Sequence, residues 1–467
     1  MNKSAEPATQ APASFYQARQ KIYPREIEGR YTRLRRISLI VLLGLYYVLP
    51  WIQYEGRQAV LFDLPARKFF IFGITFWPQD FFYMAWLLIM AALSLFFFTA
   101  IAGRLWCGFA CPQTIWTEAF LWMERLAEGG HTRRRKLDQA PWSGEKLMRK
   151  GAKQFMWISF ALWTGVTFVG YFSPIRELFG QIATFSLGPW TTFWCLFYSL
   201  ATYGNAGLLR EQVCKYMCPY ARFQSAMFDK DTLVISYDAG RGEPRGSRKR
   251  KADPKSVGLG DCIDCNMCVQ VCPTGIDIRE GLQYECIACG SCVDVCNTVM
   301  DKMSYDRGLI RFTSENALEE NQPLRVFRPR TLVYGALLIG LFVAFFASIG
   351  SRTPLQLDVI RDRNSLYREL AGGEIENVYS LKILNLDTRA HTYTLRLADA
   401  PGMSLETDGG AISLEAGEVR RVAARIRAER GALGGASKDV TFVIETEGEP
   451  PIRVDTTARF IGPAPGR

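Results

Sequence analysis

The chain has 467 residues, room for several domains, with 48% hydrophobic residues, a mean hydropathy near zero and a formal net charge of +10. That average blends very apolar segments with very polar ones, and the basic residues cluster beside the apolar segments, so membrane topology explains them better than nucleic-acid binding. The two histidines, His131 and His391, lie outside the apolar stretches, and no C-x-x-C-H, no G-x-G-x-x-G after a strand and no P-loop occurs; haem, nicotinamide and nucleotide cofactors are not expected.

Residues 1–14 are rich in Ala, Pro and Ser and read as disordered. Five apolar stretches follow, at 37–53, 81–102, 155–173, 191–209 and 331–350, each close to the roughly 20 residues that cross a bilayer as a helix. A long polar lead and the lack of an A-x-A site argue against a cleaved signal at the first. Arg25, Arg30, Arg33, Arg35 and Arg36 precede the first stretch, and the 104–154 loop carries Arg133, Arg134, Arg135 and Lys136. Arg245, Arg248, Lys249, Arg250 and Lys251 follow the fourth stretch, and Arg325, Arg328 and Arg330 precede the fifth. The 54–80 and 174–190 loops are poor in such residues, which predicts a cytoplasmic N-terminus and an outer C-terminus.

Cys107-Gly-Phe-Ala-Cys111-Pro112 follows the second stretch and Cys214-Lys-Tyr-Met-Cys218-Pro219 follows the fourth. Proline suits the first turn of a helix, and amphipathic runs (Gln113–Leu126, Tyr220–Phe228) come after each. Cys111 and Cys218 would then sit at helix N-termini, where the dipole favours a thiolate. Four soft thiolates at one depth are a candidate site for Cu(I) or a shared redox centre, with Met217 a possible thioether neighbour. The bland alternative is that these cysteines pack helix ends; their duplication beside a cluster motif favours function. Cys195, alone in the fourth stretch, reads as structural, and Asn205 as a polar residue facing other helices.

Eight cysteines then repeat C-x2-C-x2-C-x3-C: Cys262, Cys265, Cys268 and Cys272, then Cys286, Cys289, Cys292 and Cys296. In the ferredoxin pattern the remote cysteine closes the other cubane. The spacing therefore predicts one [4Fe-4S] cluster on Cys262, Cys265, Cys268 and Cys296, and a second on Cys272, Cys286, Cys289 and Cys292. Zinc, the alternative, usually takes two separated C-x2-C pairs. No cysteine follows Cys296, which suits a reducing side for the clusters and an oxidising side for the tail. Runs such as Asn377–Leu384, Thr392–Leu397 and Asp439–Ile444 alternate apolar and polar residues between Gly/Asp/Pro clusters, predicting an immunoglobulin-like β-sandwich.

The expected architecture is a multi-domain membrane protein: a five-span α-helical bundle, an inserted 2[4Fe-4S] ferredoxin-like α+β domain and a C-terminal immunoglobulin-like sandwich. The expected boundaries are an N-terminal segment (1–36), spans 1–4 with both C-x3-C-P motifs (37–230), the cluster domain (231–325), span 5 (326–350) and the outer domain (351–467).

Lys21–Arg25, Arg57–Arg67, Phe72–Asp80, Trp106–Pro112, Cys214–Tyr220, the cysteine octet and Arg361–Asn364 together resemble the FixG/RdxA/CcoG family of cytochrome c oxidase accessory proteins over nearly the whole chain. Asn297 replaces the proline that ends the first octet half, but neither is a ligand. The resemblance implies a multi-pass bacterial inner-membrane protein with a periplasmic C-terminal domain. It implies a cupric reductase that supplies Cu(I) during assembly of a cbb-type oxidase, working with the oxidase, its assembly factors and a copper-exporting P-type ATPase. An unidentified cytoplasmic donor would send single electrons by way of the clusters to copper at Cys107, Cys111, Cys214 and Cys218. Two alternatives stand beside it: an electron relay from quinol or a cytoplasmic donor to a periplasmic reductase, and a non-catalytic assembly scaffold.

Overall fold

The computed structural model describes residues 21–250, 258–320, 322–362, 365–387, 389–398, 400–407, 410–433, 435–446 and 451–463. The Ala/Pro/Ser-rich start, Lys251, Arg363 and Asn364 lie outside the described residues. The chain divides into two compact units, one formed by the segment up to Ile52 with Leu87–Ile339, the other by Gln53–Trp86 with Gly340 onward.

Nine helices matter to the argument: α1 (Arg30–Val48), α2 (Phe81–Ala102), α3 (Leu105–Phe109), α4 (Pro112–Glu128), α5 (Gly144–Val169), α6 (Pro189–Thr202), α7 (Pro219–Ser225), α8 (Ser291–Met303) and α9 (Pro329–Gly350). Among the described residues, three helical segments are long and apolar enough to cross a membrane: Arg30–Trp51, which extends α1 by a 3-10 turn, α2 and α9. Their large side chains, among them Ile40, Leu88 and Ile339, stand exposed, as expected of helices whose solvent is hydrocarbon. The expected stretches 155–173 and 191–209 fall on α5 and α6, which do not form unbroken apolar helices of that length. Lys146, Lys150 and Lys153 occupy the start of α5, and α6 gives way at Tyr203 to a π-helical turn, Tyr203–Leu209.

Packing within the first unit is tight at defined points. A Cβ on Gly165 would lie 2.3 Å from Ser199 Oγ and 2.7 Å from the Cys195 carbonyl oxygen, so glycine alone lets α5 and α6 cross this closely. Cys195 is buried beside Val169 and Leu178, a packing role. Six octet cysteines lie on loops and short turns around α8, and Cys292 and Cys296 lie on α8 itself. The strands Val234–Tyr237 and Ile310–Thr313 pair antiparallel beneath it, and Ile235, Val293, Met300 and Leu309 form the core. Asp294 of α8 reaches the start of α1, accepting from Thr32 N at 2.8 Å and from Tyr31 N at 3.3 Å. A carboxylate there satisfies N–H groups that α1 cannot pair itself and complements its dipole. The C-terminal end of α2 and the start of α9 are joined by the opposite polarity: Arg328 pairs with Asp229 and donates to the Ala100 carbonyl, and Leu233 N donates to Ile101 O at 3.0 Å.

In the second unit the three predicted β runs fall in the strands Ile375–Asn385, His391–Ala398 and Ser437–Thr446. One sheet has the order Met403–Thr407, Val419–Ala428, Ile375–Asn385, Leu355–Arg361; the other has Ile412–Leu414, His391–Ala398, Ser437–Thr446, Arg453–Ile461. All pairings are antiparallel, and inward side chains from both sheets, including Tyr379, Leu381, Tyr393, Phe442 and Phe460, share one core. Asn377 crosses between them, donating to Ile461 O at 2.7 Å and accepting from Ile461 N at 3.1 Å. A three-stranded meander, Val60–Asp63, Lys68–Ile71 and Ile74–Phe76, leads into α2. Arg352, just past α9, pairs with Asp80, just before α2, and the Tyr83 hydroxyl lies 3.0 Å from Ser348 Oγ.

Candidate functional site

The two C-x3-C-P motifs adopt matching local structures. Cys107 lies within the one-and-a-half-turn helix α3, and Cys214 within the π-helical turn Val213–Met217. Cys111 and Cys218 are each the extended residue ahead of a helix, with Pro112 and Pro219 at the first helical position. Proline is pre-set for that position and has no N–H to lose there. The helix after Pro112 runs on to Glu128, but the one after Pro219 stops at Ser225, shorter than its amphipathic run predicts. Met217 is 59% exposed, so it does not sit among the thiols as a buried thioether.

What holds the two motifs together is a pair of glutamines. Gln113, directly after Cys111-Pro112, donates to the carbonyls of Asn205 (2.9 Å) and Arg210 (3.1 Å), the turn that precedes Cys214. Gln224, beyond Cys218, is fully buried; it donates to Gly103 O (2.9 Å) and Thr99 Oγ1 (3.1 Å) and accepts from Cys107 Sγ at 3.4 Å. Each motif is thus gripped by a side chain that follows the other. Arg210 has φ +48°, a region disfavoured for a residue with a Cβ, and its guanidinium is held by buried Glu124 at 2.5 Å. Burial opposes ionisation of Glu124, yet Arg210, followed by Lys21, keeps its carboxyl below the ordinary value.

Burial pushes the Cys107 thiol up to about 12 and the Cys214 thiol to about 11; Cys111 adds to the rise at both, and Cys218 adds to it as well. The four sulfurs are therefore electrostatic neighbours. Among the described residues, however, no three His, Cys, Asp or Glu side chains converge on a single ion position. Copper held by three of these thiols requires side-chain rotation, and each thiolate formed releases a proton.

The octet cysteines line two cavities. Cys262, Cys265, Cys268 and Cys296 line one cavity of about 370 Å³. Cys272, Cys286, Cys289 and Cys292 line a second of about 340 Å³, with Cys268 at its edge. Neither wall includes His, Asp or Glu; the remaining lining is mostly aliphatic. An all-thiol donor set around a space, rather than around a point, fits a cubane whose four irons each take a different cysteine. Burial raises the Cys268 thiol to about 11 and those of Cys286 and Cys296 to about 12, so loading displaces protons here too. Cys296→Ser is expected to disturb the same iron site as Cys262→Ser, and Cys272→Ser the other one. Iron analysis with EPR on each variant would read this, and loss confined to the sequence-adjacent quartet would refute the crossed pairing.

The two kinds of cysteine site touch. Cys107, Ile287 and Cys289 form one buried cluster with Tyr220 against it. A Cβ on Gly108 would lie 2.7 Å from Ile287 O and 2.8 Å from Ala288 O, so α3 lies backbone to backbone on the second octet loop. Buried Arg104 ties the same three pieces, donating to the carbonyls of Tyr284 and of Ala221. Cys265, in contrast, is exposed. Sequence reasoning missed Gln113, Gln224, Arg104 and Gly108. The only signal was a polar or glycine residue within a few positions of each cysteine motif.

Comparisons with known proteins match both cysteine regions to iron–sulfur domains. Residues 209–315 match a 4Fe-4S dicluster domain, residues 83–129 a 4Fe-4S binding domain, and residues 345–463 the IG-like fold at the C-terminus of FixG. The chain is 37% identical to the nitrogen fixation protein FixG of Rhizobium meliloti over 446 residues, covering 87% of this chain and 84% of that one. It is 40% identical to RdxB and 38% identical to RdxA, both of Cereibacter sphaeroides, covering 86% and 93% of this chain and 87% and 96% of theirs. A crystal structure of a FixG-related protein from Vibrio parahaemolyticus aligns with 23% of this chain and 95% of its own, at 29% identity and a TM-score of 0.21.

Proposed function

Because the chain belongs to the family of FixG, RdxA and RdxB, we propose that it reduces Cu(II) to Cu(I) at a membrane for assembly of the copper centre of a cbb-type cytochrome c oxidase. At the coarser level it is an iron–sulfur protein of the oxidoreductase type with apolar helices suited to a membrane. The observation that carries the copper reading is the packing of Cys107 on Ile287 and Cys289, which sets the duplicated thiols against the second octet quartet.

In this reading Cys262, Cys265, Cys268 and Cys296 hold one [4Fe-4S] cluster and Cys272, Cys286, Cys289 and Cys292 the other. When bound, such clusters supply one-electron chemistry at potentials of about −700 to +450 mV, set by their surroundings. Cys107, Cys111, Cys214 and Cys218 take the copper ion; one electron converts Cu(II) to Cu(I), and soft thiolates favour the reduced ion. Gln224 and Arg104 keep Cys107 in place against the octet loop, and Gln113 keeps the Cys214 turn beside it. Exposed Cys265 marks the face for an unidentified cytoplasmic electron donor. The oxidase, its assembly factors and a copper-exporting P-type ATPase are the proposed partners, and the C-terminal Ig-like domain the docking element. The decisive experiment is anaerobic titration of the dithionite-reduced protein with Cu(II) in the presence of a Cu(I) chelator. Formation of Cu(I) with matching recovery of the iron–sulfur absorbance that dithionite had bleached is expected; no Cu(I) above that from dithionite alone would sink the reading.

The match of residues 83–129 to a 4Fe-4S binding domain favours a second reading, in which the four C-x3-C-P thiols hold a further cluster. Iron content separates the two, at about eight iron per chain for two cubanes and about twelve for three.

The proposed topology keeps five spans, with α5 and α6 contributing the third and fourth, in a bacterial inner membrane. A reporter fused after Arg250 is expected on the cytoplasmic side and one at the C-terminal end on the periplasmic side. Both reporters on one side would reduce the count to an even number.

A further inference from the structure

We propose that the large cavity of the second unit binds the phosphate headgroup of an anionic phospholipid. The cavity encloses about 1070 Å³ of empty space, part of it open to solvent, between the Gln53–Phe76 strands and the loops of the C-terminal sheets. This site is independent of the copper chemistry.

Three cations face it. Arg57 lies 4.3 Å from the Phe70 ring centroid and donates only to uncharged acceptors, Thr75 Oγ1 and Phe72 O, each at 3.3 Å. Lys68 lies 4.8 Å from the Trp77 ring centroid and donates to Gly417 O at 3.1 Å. Arg389, from the loop after the Ile375–Asn385 strand, lines the cavity as well. Two carboxylates, Glu55 and Asp387, also line the cavity, but Asp387 is engaged by His391 Nε2 at 2.6 Å. Among the described residues, none of the three cations is within ion-pair distance of a carboxylate. The Trp77 ring lines the same space. Un-neutralised cations around one space form a receptor for an anion with several acceptor oxygens.

Depth identifies the source of that anion. Trp77 is followed by the short turn Pro78–Asp80 and then by α2 at Phe81. Arg352, two residues beyond the end of α9, donates to Thr75 O at 3.0 Å and pairs with Asp80. Thr75 and Trp77, two walls of the cavity, therefore lie level with the ends of two apolar helices long enough to cross a membrane. That level is the headgroup layer, where Trp is favoured and where lysine and arginine meet lipid phosphates. A protein ligand reaching in from the aqueous side needs no such placement.

The test uses full-length protein in neutral detergent, followed by native mass spectrometry with added phosphatidylglycerol, phosphatidylcholine or inorganic phosphate. A single retained phosphatidylglycerol, preferred roughly tenfold over phosphatidylcholine, is expected from the charge-assisted bonds. Arg57→Gln with Arg389→Gln should bring the two lipids to parity, and Arg57→Lys with Arg389→Lys should keep much of the preference. Iron content and thermal unfolding serve as the fold check, and a misfolded Gln pair is replaced by the single variants, each expected to lose part of the preference. Equal retention of both lipids, or a preference untouched by the Gln variants, overturns the proposal. Displacement of the lipid by equimolar inorganic phosphate overturns the lipid source, and so does capture of an acidic peptide without lipid preference.

Discussion

Replacing Cys107, Cys111, Cys214 and Cys218 together by serine is expected to leave iron near the parent level while abolishing copper retention and Cu(II) reduction. Serine nearly preserves shape, and a hydroxyl at position 107 still donates to Gln224 Oε1, so the buried glutamine keeps its third partner. The hard hydroxyl is a poor Cu(I) ligand, and the loss of affinity should exceed the roughly 10–100-fold that losing an outer partner of a metal ligand costs. Oxidase assembly should fail most clearly when copper is scarce. Single replacements should hurt less, since three thiols remain. Metal analysis separates the outcomes: a variant that loses about a third of its iron supports the third-cluster reading, and one that reduces Cu(II) like the parent shows that the thiols merely pack.

The cysteine chemistry was legible because its ligands are local. Each proposed quartet takes three cysteines from one short stretch and a fourth at a fixed offset, so counting along the chain already separates Cys272 from Cys296, which line different cavities. Proline after Cys111 and Cys218 likewise announced the two helix starts. The residues that join these pieces were not legible, since Gln224 meets Cys107 across a separation of 117 residues and Arg104 meets Tyr284 across 180. No periodicity encodes such pairings. Two features beside the third and fourth apolar stretches are ones that a hydropathy window does not read. On α5 the three lysines are drawn into the protein, where Lys150 and Lys153 pair with buried Glu128 at 2.9 and 3.1 Å. After Thr202 the Gly-containing Tyr203–Leu209 segment widens into a π-turn that an apolar average cannot sense. The division into two units was missed for a similar reason. Gln53–Trp86 joins the C-terminal region through distant partners such as Lys68 with Gly417, although it lies between two predicted spans.

Gly108→Ala is expected to separate copper binding from copper reduction. The added methyl would meet the Ile287 and Ala288 carbonyl oxygens at 2.7 and 2.8 Å, and backbone cannot swing aside as a side-chain tip can. Helix α3 and the octet loop must move apart, opening the Cys107–Cys289 contact at a cost of about 1–3 kcal/mol, typical of overpacking. All four C-x3-C-P thiols remain, so Cu(I) affinity should stay close to the parent's. The rate at which the reduced protein converts Cu(II) to Cu(I) should fall, and Cys107, buried in the parent, should become easier to alkylate. Gly151→Ala is the matched control: its Cβ meets nothing within 4 Å, and alanine inside α5 should stabilise the protein by about 0.5–1 kcal/mol with no change in rate. Stopped-flow absorbance for the rate, chelator competition for affinity and mass spectrometry for alkylation read the three quantities separately. A Gly108→Ala protein with parent-like rate and alkylation would mean that the close approach of α3 to the octet loop plays no part in delivering the electron.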